Sequence, residues 1–207
     1  MTNDSLSYVD LDMQCPLCRK GKLSMLYKLT TIPYFGGILT MSIKCSFCGL
    51  KISDIMAISD RGELPEKSEI KTFKSKMGDL IVLSAGAKVE IPELDIELYI
   101  SGETGGEITT VEGILSETLE YAKILAKDPS IENPKKLQRV LKLLRREIEA
   151  PSGLLTIVII DENRRSAIIP HETWVKRAEL AREEMLELEE KEIISLGKEA
   201  LKKKIKV

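Results

Sequence analysis

Leu39-Thr40-Met41-Ser42-Ile43-Lys44-Cys45-Ser46-Phe47-Cys48-Gly49 decides how this chain is read. Leu39, Met41, Ile43 and Cys45 alternate with Thr40, Ser42 and Lys44, and a period of two predicts a half-buried strand. That strand delivers two thiols with two residues between them, followed by a glycine. A second pair stands upstream in Cys15-Pro16-Leu17-Cys18, with Gly21 three residues beyond it. These four are all the cysteines in the 207 residues. A short turn lets both thiolates of such a pair converge on one ion, at S–Zn of about 2.3 Å, and two pairs fill a tetrahedral zinc. Backbone N–H groups of the turn, a knuckle, are placed to bond the sulfurs, and Gly21 and Gly49 suit its tight geometry. The gap from Arg19 to Lys44 is 26 residues, longer than the usual ~15–20. It fits a ribbon with an extended hairpin between its knuckles.

Rival uses of the cysteines fit less well. Disulfides need an oxidising compartment, and the polar, acid-bearing start Met1 to Asp12 resembles neither a secretory nor a transit signal. A thioredoxin-like site needs one Cys-x-x-Cys before a helix in a βαβ setting. An iron–sulfur cluster could use the same four thiolates, but paired knuckles favour zinc. With Cys15, Cys18, Cys45 and Cys48 filling every coordination place, no position is left for water or substrate. One structural Zn2+ is therefore expected, contributing on the order of 10 kcal/mol to a module too small for a good core.

Totals narrow the function classes. Net charge is -2 with 43% hydrophobic and 31% charged residues, enough to bury a core and unlike a wholly basic nucleic-acid binder. No run of about 18 apolar residues exists to span a membrane, and the expected location is the cytoplasm. The single histidine, His171, follows Pro170 at the start of a helical pattern and reads as a capping residue rather than a catalyst. No metal centre rich in histidine can be built.

Charge is uneven. Arg19, Lys20, Lys22, Lys28, Lys44 and Lys51 face only Asp54 and Asp60 between residues 13 and 60, whereas residues 61–130 hold 14 acids and 8 bases. The ribbon cations partly balance the formal -2 of a zinc with four thiolates; the same cations could touch phosphates, which leaves nucleic acid as a second-choice partner. Basic ribbon beside acidic middle suits a protein partner with complementary patches. Ile32-Pro33-Tyr34-Phe35-Gly36-Gly37 sets two aromatics beside a flexible turn. Tyr34 and Phe35 are candidate partner contacts, or else dock the ribbon onto the next domain.

Downstream, residues 69–100 read as strand after strand. Val89 and Ile91 share one parity, Leu94, Ile96, Leu98 and Ile100 the other, and the slip at Pro92-Glu93 predicts a bulge or edge break. Residues 101–106 form a glycine-rich turn that lacks the Gly-Lys-Ser/Thr ending of a phosphate loop. A helix follows through Leu115, Thr118, Leu119, Ala122 and Leu125. Asn133-Pro134 starts another as N-cap and N1, with Leu137, Val140, Leu141, Leu144 and Ile148 at helical spacing. Leu154–Ile160 reads as a fully buried strand, Ser166–Ile169 as its hairpin partner. From His171 the chain is charged and helix-forming, with a stripe of Trp174, Ala178, Ala181, Met185 and Leu188. That face is expected to be mostly solvated surface.

Several segments together resemble the ZPR-type zinc-finger proteins. Cys15-Pro16-x-Cys18 with Gly21, Ile32-Pro33-Tyr34-Phe35, and Met41-Ser42-x-x-Cys45-x-x-Cys48-Gly49 are similar to the zinc-finger half of that family. Ile91-Pro92-Glu93-Leu94-Asp95 and Thr109-Thr110-Val111-Glu112-Gly113 are similar to the domain that follows. The likeness spans roughly residues 13–169, and residues 171–207 have no counterpart that can be placed. It implies an α+β, β-rich chain: a four-cysteine ribbon, then a double-stranded β-helix-like domain with a helical hairpin. The expected boundaries are 13–57 for the ribbon, 58–170 for the β-rich domain and 171–207 for a charged C-terminal helix. Eukaryotic members carry the module twice; this chain resembles the archaeal single-module form. The family's association with translation elongation factor 1A implies a non-enzymatic adaptor or folding factor for a GTPase of that class. Glu93, Asp95 and Glu112, with Tyr34 and Phe35, are the candidate contact residues. Were those three carboxylates to converge on one pocket, they could instead hold a metal or serve as acid and base.

Overall fold

The computed structural model describes residues 6–32, 36–59, 62–101, 105–172 and 190–205. Alternation in the N-terminal quarter yields four antiparallel strands in chain order: β1 (Ser7–Gln14), β2 (Lys22–Ile32), β3 (Gly36–Cys45) and β4 (Lys51–Ser59). β2 and β3 form the extended hairpin, in unbroken register from Leu23↔Cys45 to Ile32↔Gly36. Because both strands run without a bulge, the thiols at one end are fixed relative to the Ile32–Gly36 pair at the other.

The rest of the β structure makes two sheets, one of β5 (Lys67–Phe73), β10 (Ser152–Ile160), β7 (Lys88–Ile91) and β8 (Ile96–Tyr99), in that order. The other orders β11 (Ala167–Ile169), β6 (Leu80–Leu83) and β9 (Glu107–Thr110). Two helices, α1 (Val111–Leu125) and α2 (Pro134–Glu149), pack on this body as the expected helical hairpin. Thr110 caps α1 by accepting the Gly113 N–H at 3.0 Å, and Asn133 caps α2 by accepting that of Lys136 at 3.0 Å. Pro134 at N1 gives up a donor that would be unsatisfied anyway. One core joins Ile81, Leu83, Val89, Leu115, Leu144 and Ile157, all buried.

Three sequence expectations change. The slip at Pro92-Glu93 is no bulge: Pro92–Leu94 form a 3-10 turn, and Asp95 closes it at φ 55°. The turn joins β7 to β8 as a hairpin, Ile91 opposite Ile96, so the change of parity is the chain reversing. Ser166–Ile169 does not pair with the Leu154–Ile160 strand. β10 already bonds β5 on one edge and β7 on the other, so β11 crosses to β6 instead. The apolar run is also not buried throughout, since Leu154 is 44% exposed and only the stretch from Leu155 to Ile159 is largely inside.

A last helix, α3 (Glu190–Ile205), lies on the ribbon sheet. Ile193, Ala200 and Leu201 are buried against Met25, Ile43, Ile52 and Met56. At Gly197 the approach is so close that an added Cβ would collide with Met25 Sδ. This part of the C-terminal segment is therefore an integral cover rather than solvated surface. The predicted stripe from Trp174 to Leu188 lies outside the described residues, as do Tyr34 and Phe35.

The other face of the ribbon meets the second body. Ile32, Ile38 and Ala57 share a small core with Val82, Ala167 and Ile169. The Ala57 N–H donates to Arg165 O at 2.6 Å. Asp54, one of the two acids among the ribbon cations in sequence, is buried, accepting the N–H groups of Ile55 at 2.9 Å and Ala85 at 3.1 Å. At Gly106 a side chain is excluded, because a Cβ would stand 2.6 Å from both Ile55 O and Leu83 O.

Candidate metal centre

The first knuckle links β1 to β2 and the second links β3 to β4, so the hairpin carries both to one end of the sheet. Cys15 N–H donates to Gly21 O at 2.8 Å and Arg19 N–H to Cys15 O at 2.8 Å, which closes the first turn. Cys45 N–H donates to Leu50 O at 2.9 Å and closes the second. In each knuckle the residue after the second cysteine is left-handed, Arg19 at φ 54° and Gly49 at φ 73°. Gly21 fits where nothing larger would: a Cβ there would collide with Cys45 Sγ and stand 2.8 Å from Phe47 Cβ.

The sulfurs come together. Cys15 Sγ lies 3.7 Å from Cys48 Sγ, and Cys18 Sγ lies 3.7 Å from Cys45 Sγ. All four lie within 4.8 Å of one another. Four sulfurs at ~2.3 Å from one tetrahedral zinc would be about 3.8 Å apart, so the set fits one structural zinc ion with all four positions filled by protein. No disulfide joins the four cysteines, which sets aside the disulfide reading.

Backbone dipoles prepare the thiols for a cation. Gly21 N–H donates to Cys18 Sγ at 3.4 Å; Phe47 and Cys48 N–H groups donate to Cys45 Sγ at 3.4 and 3.5 Å. The Gly21 and Lys20 N–H groups pull Cys18 down to about 6 against an ordinary thiol value of 9.0. Cys45 is lowered too, chiefly by the Cys48 N–H. Cys48 goes the other way, to about 12: the Leu50 N–H lowers it, but desolvation and the three neighbouring sulfurs outweigh that. A site that holds some thiolate and some thiol releases protons as metal binds.

The remaining candidates do not converge. Glu93 accepts the Thr156 N–H at 3.0 Å and its hydroxyl at 2.7 Å, tying the 3-10 turn to β10. Burial alone would raise its carboxyl, but the Thr156 bonds hold it below the ordinary range. Asp95 pairs with Lys136 of α2 at 2.5 Å, which lowers its carboxyl. Glu112 is exposed in the first turn of α1, favourably placed for the helix dipole. Among the described residues, only the four cysteines gather as a set able to hold a metal. The backbone N–H of His171 donates to buried Asp79 at 2.9 Å.

Two polar hubs escaped the sequence reading. Glu147 is fully buried and accepts the N–H groups of Ser152, Gly153 and Leu154 at 2.8–3.0 Å, along with the hydroxyls of Thr72 and Ser152. Asp161, also buried, accepts the hydroxyls of Ser84 and Ser166 and the N–H groups of Asn163 and Arg165. For Asp161 the signal available was a carboxylate adjoining a long apolar run with Ser166 close by; Glu147 sits among the charged residues of α2.

A closed tetrathiolate ribbon docked on a two-sheet β body defines a structural zinc-finger protein. The family model for the ZPR1 zinc-finger domain matches residues 9–60, and that for the ZPR1 jelly-roll domain matches residues 75–196. This chain belongs to the ZPR1 family. The second match corrects one expectation, since the likeness continues past residue 170 into α3. A ZPR1-like protein of Pyrococcus horikoshii is 29% identical over 84% of this chain and 78% of its own length. One from Methanocaldococcus jannaschii is 28% identical over 86% and 89%. The fission yeast Schizosaccharomyces pombe protein named zinc finger chaperone zpr1 is 36% identical over 54% of this chain, but only 24% of its own length. Among the described residues no helix is long and apolar enough to cross a membrane.

Proposed function

We propose that this chain is a cytoplasmic, non-enzymatic adaptor or folding factor for a translation GTPase of the elongation factor 1A class. The observation that carries the proposal is family membership over both domains, together with a relative whose name describes a zinc finger chaperone. A metal site with no open position supports a binding role, because it offers a substrate nowhere to coordinate. Zinc holds the ribbon in shape, and the surfaces it holds do the recognising. Tyr34 and Phe35 and the exposed acids Glu93, Asp95 and Glu112 remain candidate contacts, with Glu93 and Asp95 already engaged within the chain.

The test uses purified, zinc-loaded protein and a purified archaeal GTPase of this class. Co-elution on gel filtration, and a higher yield of active GTPase refolded in its presence, are the expected results. Absence of association in both nucleotide states would sink the proposal. A nucleic-acid reading is favoured by the exposed ribbon cations; affinity for RNA or DNA that falls steeply with salt, and falls again on changing Lys20, Lys22 and Lys28 to alanine, would support it.

A further inference from the structure

Leu17 and Phe47 occupy the same place in the two knuckles, directly before the second cysteine of each pair. Burying them would be the ordinary fate of large apolar side chains, yet Leu17 is 69% and Phe47 65% exposed. The convergence of the sulfurs, all within 4.8 Å, sets both knuckles at one end of the ribbon. Exposure there is built in: Phe47 lies against the back of the first knuckle at Gly21, where no side chain fits.

The surrounding charge has one sign. Arg19, Lys20, Lys22, Lys44 and Lys51 are all exposed, and none has a carboxylate partner among the described residues. Asp54, one of the two acids that oppose them in sequence, is buried. Direct bonds to the sulfurs come from backbone N–H groups rather than from lysine ammonium groups. Among the described residues the cations thus pair with no carboxylate, and beyond balancing the zinc site they can meet acidic groups outside the molecule. Asp12, on the irregular end of β1, is the nearest exposed acid in sequence.

We infer that this zinc-ribbon tip is a docking surface for an acidic protein segment that carries an apolar anchor residue, seated on Leu17 and Phe47 while the cations take its carboxylates. The inference rests on the proposed function only for the identity of the protein that bears the segment. A single strand of nucleic acid is the weaker fit. Base stacking needs a bare aromatic face, whereas Lys20 Nζ lies 5.5 Å over the Phe47 ring centroid, and Leu17 offers no ring. An apolar anchor inside a charged rim has the anatomy of a protein contact, with affinity centred on the anchor and orientation set by the rim.

The test compares the zinc-loaded full chain with Phe47→Ala, Leu17→Ser and Lys20→Glu, each first shown to hold one zinc per chain. Three probes are titrated: a synthetic Asp/Glu peptide built around one Leu-Phe pair, the same peptide without that pair, and single-stranded RNA. The archaeal GTPase is titrated in parallel. The first peptide is expected to shift the Leu17 methyl and Phe47 ring NMR signals, and to bind each variant about tenfold more weakly. Its counterpart without the apolar pair should bind weakly to all. If the GTPase fails to bind but the peptide behaves so, the docking surface stands and the proposed partner falls. If the GTPase binds wild type and variants alike and the peptide leaves both signals unmoved, the surface is overturned and the partner stands. RNA bound more tightly than the peptide, and lost with Phe47→Ala, overturns it in favour of nucleic acid.

Discussion

Gly21 shows how narrowly the metal site is drawn. Its N–H holds Cys18 Sγ while its missing side chain makes way for Cys45 Sγ and Phe47. Gly21→Ala should cost about 2 kcal/mol through overpacking and speed zinc release to a chromogenic chelator roughly tenfold. Unchanged release would mean the knuckles yield more easily than their contacts indicate. The two buried carboxylates argue at the same scale. Glu147 and Asp161 are held below their ordinary values of 4.5 and 3.8, since donated hydrogen bonds outweigh the desolvation that would raise them. A depressed folded value means their stabilisation is fully present near neutrality and is lost as pH falls below about 4 toward the folded values. Chemical denaturation followed from pH 7 to pH 3 should show stability dropping in that window. Glu147→Gln and Asp161→Asn should flatten the drop, having already lost stability at pH 7. The cysteines were legible because spacing alone specifies a metal. These hubs were not: Asp161 beside an apolar run reads equally well as a strand boundary, and Glu147 is one charge among many in α2.

Elements were read well where local signals were strong, as in the alternation of β3, the Asn133-Pro134 start of α2 and the Thr110 cap of α1. They were misread where pairing is non-local. Nothing in Ser166–Ile169 reveals that both edges of β10 are already taken. Likewise the charged composition after His171 concealed that α3 has a packed face. Leu201→Ala should cost about 3 kcal/mol, as for other buried leucines, and lower the melting temperature of the full chain. A loss below about 0.5 kcal/mol would mean α3 sits on the ribbon only loosely.

Across the whole molecule the ribbon and the jelly roll are not beads on a string. They share the core of Ile32, Ile38, Ala57, Val82, Ala167 and Ile169, and Asp54 bonds across the boundary. Removing zinc with a chelator should therefore unsettle more than residues 9–60. Hydrogen exchange at Val82 and Ile169 should quicken, and the melting temperature should fall by on the order of 10 °C. Exchange that quickens only within the ribbon would show the two bodies to be energetically separate. Function was least legible at this scale, because an interaction surface needs few residue types and no fixed spacing. Leu17 and Phe47 drew no notice in the sequence, where the middle of a knuckle looks like filler.

Packing of α3 on the ribbon also bears on the order in which the protein is made. Strands β1 to β4 leave the ribosome first, but the helix that covers their apolar face follows about 130 residues later. At roughly 5–20 residues per second, Met25, Ile43 and Met56 wait about ten seconds, with zinc as the chief restraint on the strands that bear them. Zinc bound in that interval would hold the knuckle end of the sheet before its cover arrives.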